Sequence, residues 1–137
     1  MKKLFHPIAG ALIMGILAAT LAACGLGGPS EADQLEAALQ KAGISVTGVT
    51  AVQADANVNT SGKFITVKLV GESADKAALT QTLEQAMPAL LDSIKDVEGG
   101  TLGVSIFSPD DAVHAGPADL GYSGSSSLSS IRQYFAR

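Results

Sequence analysis

The sequence predicts one α+β domain, a two-layer sandwich in the order helix-strand-strand-helix-strand with a small three-stranded sheet. Three observations carry this. A stripe of apolar residues recurs at helical spacing over residues 74–95. Strict alternation marks residues 64–70, just after a run of turn-forming residues. A second apolar alternation follows a Gly-Gly pair at Gly99-Gly100. The chain has 137 residues, which suits a single domain large enough to bury a core without disulfides or a metal.

The first helix is expected over residues 31–42. Ser30-Glu31-Ala32-Asp33 has a hydroxyl at the cap position and a carboxylate three residues on, the pattern of a capping box. Leu35, Ala38, Leu39 and Ala42 then recur on one helical face, and Gly43 stands where a left-handed residue ends a helix. Residues 44–58 are rich in Val and Thr with partial alternation, and Gly48 marks a candidate bulge. Asn59-Thr60-Ser61-Gly62 is turn chemistry. Ile65, Val67 and Leu69 then share one face and Thr66 and Lys68 the other, so the two strands should form an antiparallel hairpin.

In the second helix the apolar stripe is Leu79, Leu83, Ala86, Met87, Leu90, Leu91 and Ile94. Pro88 falls inside it, where proline removes one backbone bond at a cost of about 3 kcal/mol, so a kink or two helical pieces meeting near Met87 are expected. Residues 101–107 read as the third strand, and a helix between strands lets it join the same sheet. This element order is similar to that of the small BON domains of bacterial envelope proteins. The likeness rests on no particular residues and implies no function.

Ser108-Pro109-Asp110-Asp111 reads as a new helix start, with serine as cap and proline at the first helical position, soon stopped by Gly116 and Pro117. Residues 121–130 are rich in Gly and Ser and read as a loop. Leu128, Ile131, Tyr134 and Phe135 suit a short amphipathic turn docked on the domain or on a partner. The folded domain is thus expected over 30–108, with 109–137 as a short helix and a Gly/Ser-rich C-terminal segment.

The N-terminal residues carry a different message. Met1-Lys2-Lys3 is cationic, and residues 8–23 form an uncharged run rich in Ala, Leu and Ile. At 16 residues it falls short of the roughly 20 needed to span a bilayer and fits a signal-peptide core better. It closes with Leu21-Ala22-Ala23-Cys24, and Cys24 is the only cysteine. This tetrad resembles the lipobox of bacterial lipoprotein signal peptides: an aliphatic residue, two small residues, then cysteine.

The resemblance implies that the Cys24 thiol receives a diacylglyceryl group with palmitate-class acyl chains. Cleavage between Ala23 and Cys24 would follow, removing 1–23 and leaving the protein lipid-anchored on the extracytoplasmic face of the cell membrane. Gly25-Leu26-Gly27-Gly28-Pro29 would serve as a flexible tether, making 24–29 the lipidated cysteine and its linker. The residue after Cys24 is glycine, not the aspartate of the family's inner-membrane retention signal. Ordinary secretion is the alternative: a cut after Ala22 would present Thr20 and Ala22, small enough for a general signal peptidase.

Charge and composition exclude several functions. Without Lys2 and Lys3, seven basic residues face thirteen acidic ones, a net charge of −6. That opposes nucleic-acid binding, which needs clustered cations, and adsorption of the domain to anionic lipid. Beyond residue 23 the chain holds a single histidine, His114. His114 with Asp110 and Asp111 would be a sparse metal site, since zinc takes three or four ligands, and an exposed histidine beside helix-start carboxylates explains them as well. A serine hydrolase would need His114, Asp110 or Asp119, and one of Ser123 to Ser130. Gly121-Tyr122-Ser123-Gly124-Ser125 misses the Gly-x-Ser-x-Gly spacing. Glu72 and Asp75 read as solvated helix-start charges.

The expected protein is a non-catalytic envelope lipoprotein without cofactor or metal. Its domain would engage another envelope protein or a wall polymer. A small-ligand or lipid carrier, with a groove opened by Met87-Pro88 between helix and sheet, is the second reading, and a small hydrolase the third.

Overall fold

The computed structural model describes residues 30–135. The expected signal segment, lipobox and tether lie outside the described residues. The fold begins with helix α1 (Glu31–Ile44), strands β1 (Val49–Asn59) and β2 (Gly62–Gly71), helix α2 (Lys76–Ser93) and strand β3 (Thr101–Phe107). It continues with strand β4 (His114–Ala115), a 3-10 turn (Pro117–Leu120) and helix α3 (Leu128–Phe135).

The class is α+β, with a mixed sheet of four strands in the order β1-β2-β3-β4. β1 and β2 are antiparallel, joined through a tight turn in which Asn59 Oδ1 accepts from Ser61 N at 2.7 Å. β3 runs parallel to β2, from Phe64 opposite Thr101 to Val70 opposite Phe107. A parallel neighbour needs a crossover, and α2 supplies it.

Alternation sorts the sheet into two faces. Ala54 of β1, Ile65, Val67 and Leu69 of β2, Leu102, Val104 and Ile106 of β3 and Ala115 of β4 are buried. They meet Leu35 and Leu39 of α1 and Leu79, Leu83, Ala86, Met87, Leu90 and Leu91 of α2 in one core. Gly48 has φ 95°, and the ladder slips between Val49 and Ala51. That bulge keeps both Val49 and Val52 on the core side. Gly71 lets α2 come close, since a Cβ there would stand 2.5 Å from Leu79 Cδ2.

α2 starts at Asp75, whose side chain accepts from Ala78 N at 3.0 Å. It runs through Pro88 as one helix and does not divide at Met87. Pro88 lies on the exposed face, where water can satisfy the carbonyl that lacks a partner.

Two expectations are corrected. The sheet has four strands rather than three, and no helix starts at Ser108-Pro109. Pro109 sits in a turn instead, and the chain folds back so that Phe107 pairs with His114 and Ile106 with Ala115. The reason is Ser108, which is fully buried. Its Oγ accepts from Val113 N at 3.0 Å and its own N–H donates to Val113 O at 2.8 Å, closing the turn. A helix would require Val113 to bond elsewhere.

The C-terminal residues join the same core. Leu128 and Ile131 are buried in it. Leu102 N donates to Ser126 O at 2.9 Å, and Leu128 N to Gly100 O at 2.9 Å. Arg132 donates from Nη1 to Val97 O at 2.7 Å and from Nη2 to Ile94 O, closing the carbonyl end of α2. The Gly/Ser segment therefore ends in a sheet contact, Thr101 opposite Ser127.

Candidate functional site

Among the described residues the sheet has helices on one face only. Its other face presents Gln53, Asp55 and Asn57 from β1, Phe64, Thr66 and Lys68 from β2, and Gly103, Ser105 and Phe107 from β3. His114 of β4 completes it at the far edge. Among the described residues Phe64 is one of two large apolar residues left exposed, at 45%.

The richest chemistry on this face lies around Phe107. The His114 imidazole stacks on the Phe107 ring, with centroids 5.3 Å apart and planes 26° apart. Lys68 Nζ stands 4.5 Å from the same ring centroid and 3.3 Å from Asp111 Oδ1. The ammonium is thus held by a carboxylate and a ring face together. The backbone of Asp111 is left-handed, φ 63°, which aims its side chain back along the sheet. The cluster is a cationic and aromatic platform bounded by one acid.

The expected metal trio is separated by the turn. Asp110 turns inward, and its Oδ1 accepts from Ser108 Oγ at 2.7 Å and from Ala112 N at 3.1 Å. The Ser108 hydroxyl, then the Ala112 amide, hold its carboxyl below the usual carboxylate range. Asp111 faces Lys68, and His114 faces Phe107. Among the described residues no group of three His, Cys, Asp or Glu side chains could hold a metal ion.

The serines and His114 do not form a triad. Ser127 accepts from Ser130 N at 3.3 Å as the cap of α3, and Ser127 Oγ donates to Ser130 Oγ at 2.8 Å. Ser125 joins this network, and its carbonyl accepts from the Tyr122 hydroxyl. Asp119 Oδ2 accepts from Gly116 N at 2.9 Å, and Oδ1 lies 3.2 Å from Lys76 Nζ. The Gly116 amide first, then Lys76, hold the Asp119 carboxyl below its ordinary value. No hydrogen bond links His114 to a serine or carboxylate among the described residues. Glu72 is exposed, as expected, and Asp75 serves as the α2 cap.

The groove expected beneath Met87 is filled. Met87 and Leu90 are both fully buried in the core. A shallow groove of about 450 Å³ lies on the other side of α2 instead, between Pro88, Leu91, Asp92, Lys95 and Arg132. Two of its five lining residues are already engaged, Leu91 in the core and Arg132 with the α2 carbonyls.

Sequence reading missed the Lys68-Phe107-His114-Asp111 cluster. The signal for it was present: Ser-Pro-Asp-Asp also suits a β-turn with proline second, and a turn there returns Val113 to Ala115 beside the preceding strand.

No protein-family model, curated protein or solved structure matches this chain.

Proposed function

We propose that this chain is the precursor of a bacterial envelope lipoprotein, anchored through a diacylglyceryl group on Cys24 after cleavage between Ala23 and Cys24. The observation that carries the proposal is Leu21-Ala22-Ala23-Cys24, placed after a cationic start and a 16-residue uncharged run. The rest of the chain is consistent with it. The only cysteine stands where the modification requires it, and the fold begins at Glu31, a short glycine-rich linker away. Among the described residues no helix is long and apolar enough to cross a membrane. Two acyl chains hold far more firmly than one, each buried CH₂ adding about 0.8 kcal/mol.

The domain is a non-catalytic binding module. His114, Asp110, Asp119, Ser127 and Ser130, the candidates for such chemistry, are engaged with a ring, backbone amides, a lysine or one another, and among the described residues no hydrogen bond brings a serine to His114. Its partner is another envelope protein or a wall polymer, met by the uncovered sheet face around Lys68 and Phe107. The test is the intact mass of wild type and Cys24→Ala extracted from membranes, with cross-linking and co-purification of the wild type. The variant should lack the diacylglyceryl mass and keep residues 1–23, since cleavage follows lipidation, and the wild type should bring down a partner that Phe107→Ala loses. A wild type without that added mass would sink the anchor. A wild type recovered alone under every condition would sink the binding role.

A further inference from the structure

The edge of the sheet formed by β1 is long and largely unprotected. β1 has eleven residues, no proline, no Lys or Arg, and Asp55 as its single charge. Proteins commonly blunt such edges with short strands, lysines, prolines or a covering element. Ala56 N donates outward, to Glu36 Oε2 of α1 at 2.8 Å. In an antiparallel ladder alternate residues point their amides the same way, so Val52, Ala54 and Val58 also face outward. Among the described residues Glu36 is the one side chain bonded to that row.

The ground beside this edge is apolar in part. A groove of about 400 Å³ runs between Ala37, Gln40, Lys41 and Ile44 of α1 and Val52 of β1. These four helix positions form one stripe at helical spacing, and Ile44 is 50% exposed.

We propose that β1 pairs antiparallel with β1 of a second copy about a two-fold axis at Ala54, giving a continuous eight-stranded sheet. Self-complementarity singles out a second copy. With Ala54 on the axis, Ala54 pairs with its own counterpart and Val52 with Ala56 of the other copy. Gln53 then stands opposite Asp55 twice, an amide facing a carboxylate across the exposed face. Glu36 lies beside Ala56, and Lys41 lies beside Val52. The same axis therefore sets Glu36 of each copy against Lys41 of the other. When Val52 of the second copy takes the Ala56 amide, Glu36 passes to that lysine. Each charge on the flank finds its opposite, as an isologous interface requires. The inference is independent of the Cys24 anchor.

The test uses the full chain in detergent, by sedimentation equilibrium, with two substitutions of opposite sign. Gln53→Asp would face Asp55 twice and Gln53→Lys would attract it twice. Relative to wild type, the dissociation constant should rise by roughly two- to thirtyfold in the first and fall comparably in the second. Gln53 also pairs with Lys68 inside the copy. Gln53→Asp should therefore hold or raise the melting temperature of the domain while weakening the dimer, a pairing of effects that a purely structural role does not give. Co-expression of Gln53→Cys with Asp55→Cys should yield a disulfide between positions 53 and 55 on oxidation in membranes, identified by peptide mass, while Gln53→Cys alone should yield none at 53. A chain that stays monomeric overturns the proposal. So does a dimer indifferent to both substitutions and lacking that bridge, whatever the state of Cys24.

Discussion

Arg132 fastens the C-terminal helix to the end of α2, and its removal should be felt across the domain. Both guanidinium bonds go to carbonyls just past the end of α2, Val97 O and Ile94 O, the second of which also accepts from Val97 N at 3.0 Å. A hydrogen bond to a charged group contributes about 1.5–3 kcal/mol when buried. Arg132 is half-buried, and solvent screening lowers the sum of the two to about 2–3 kcal/mol. Arg132→Met keeps the aliphatic stem and removes the fork, so the loss reads the bonds rather than the packing. At about 4–8 °C per kcal/mol for a domain near this size, the midpoint should fall by roughly 8–24 °C. Arg132→Lys, which can restore one bond, should recover part of it. Far-UV circular dichroism gives the midpoints, and hydrogen exchange should show the amides of 128–135 losing protection first. A midpoint within about 2 °C of wild type, with unchanged exchange in α3, would refute the clasp.

Three further outcomes follow from the same geometry. Gly71→Ala should destabilise by about 1–3 kcal/mol in urea titration, because its Cβ would meet Leu79 Cδ2 at 2.5 Å. Pro88→Ala should stabilise by about 2 kcal/mol, the helix cost of proline less its unfolded-state advantage, read as a higher urea midpoint with unchanged slope. Asp110 and Asp119 have carboxyls held below the ordinary value of 3.8. Their contribution is therefore complete above that value and lost as pH falls through the folded-state value. Acid titration of Asp119→Asn should give a flatter fall in stability below that pH than wild type; an unchanged slope would remove Asp119 from the account.

How much of this was legible depended on how local each decision was. The stripe Leu79, Leu83, Met87 and Leu90 and the alternation Ile65, Val67 and Leu69 are repeated signals, and each sets an inward face by periodicity alone. The fate of Ser108 is different. Ser-Pro-Asp-Asp begins a helix or a turn equally well, and the choice falls to a tertiary contact, the bonds of Ser108 with Val113 that close β4 onto β3. The fourth strand is only two residues long and carries no periodicity. Pro88 led to the expectation of a break near Met87 that the helix does not show, and its exposed position explains why the helix continues. The candidate binding face was half legible. Alternation turned Thr66 and Lys68 outward, but Phe107, Asp111 and His114 reach Lys68 only because of that unread turn. Arg132 was silent in sequence, since its partners lie more than thirty residues away.

The central claim is the lipid on Cys24, and intact mass of the membrane-extracted protein tests it most directly, beside Cys24→Ala. The account predicts a chain that begins at Cys24 and carries the added mass of a diacylglyceryl group, absent from the variant. An unmodified chain cut elsewhere, or one retaining residues 1–23, would contradict it.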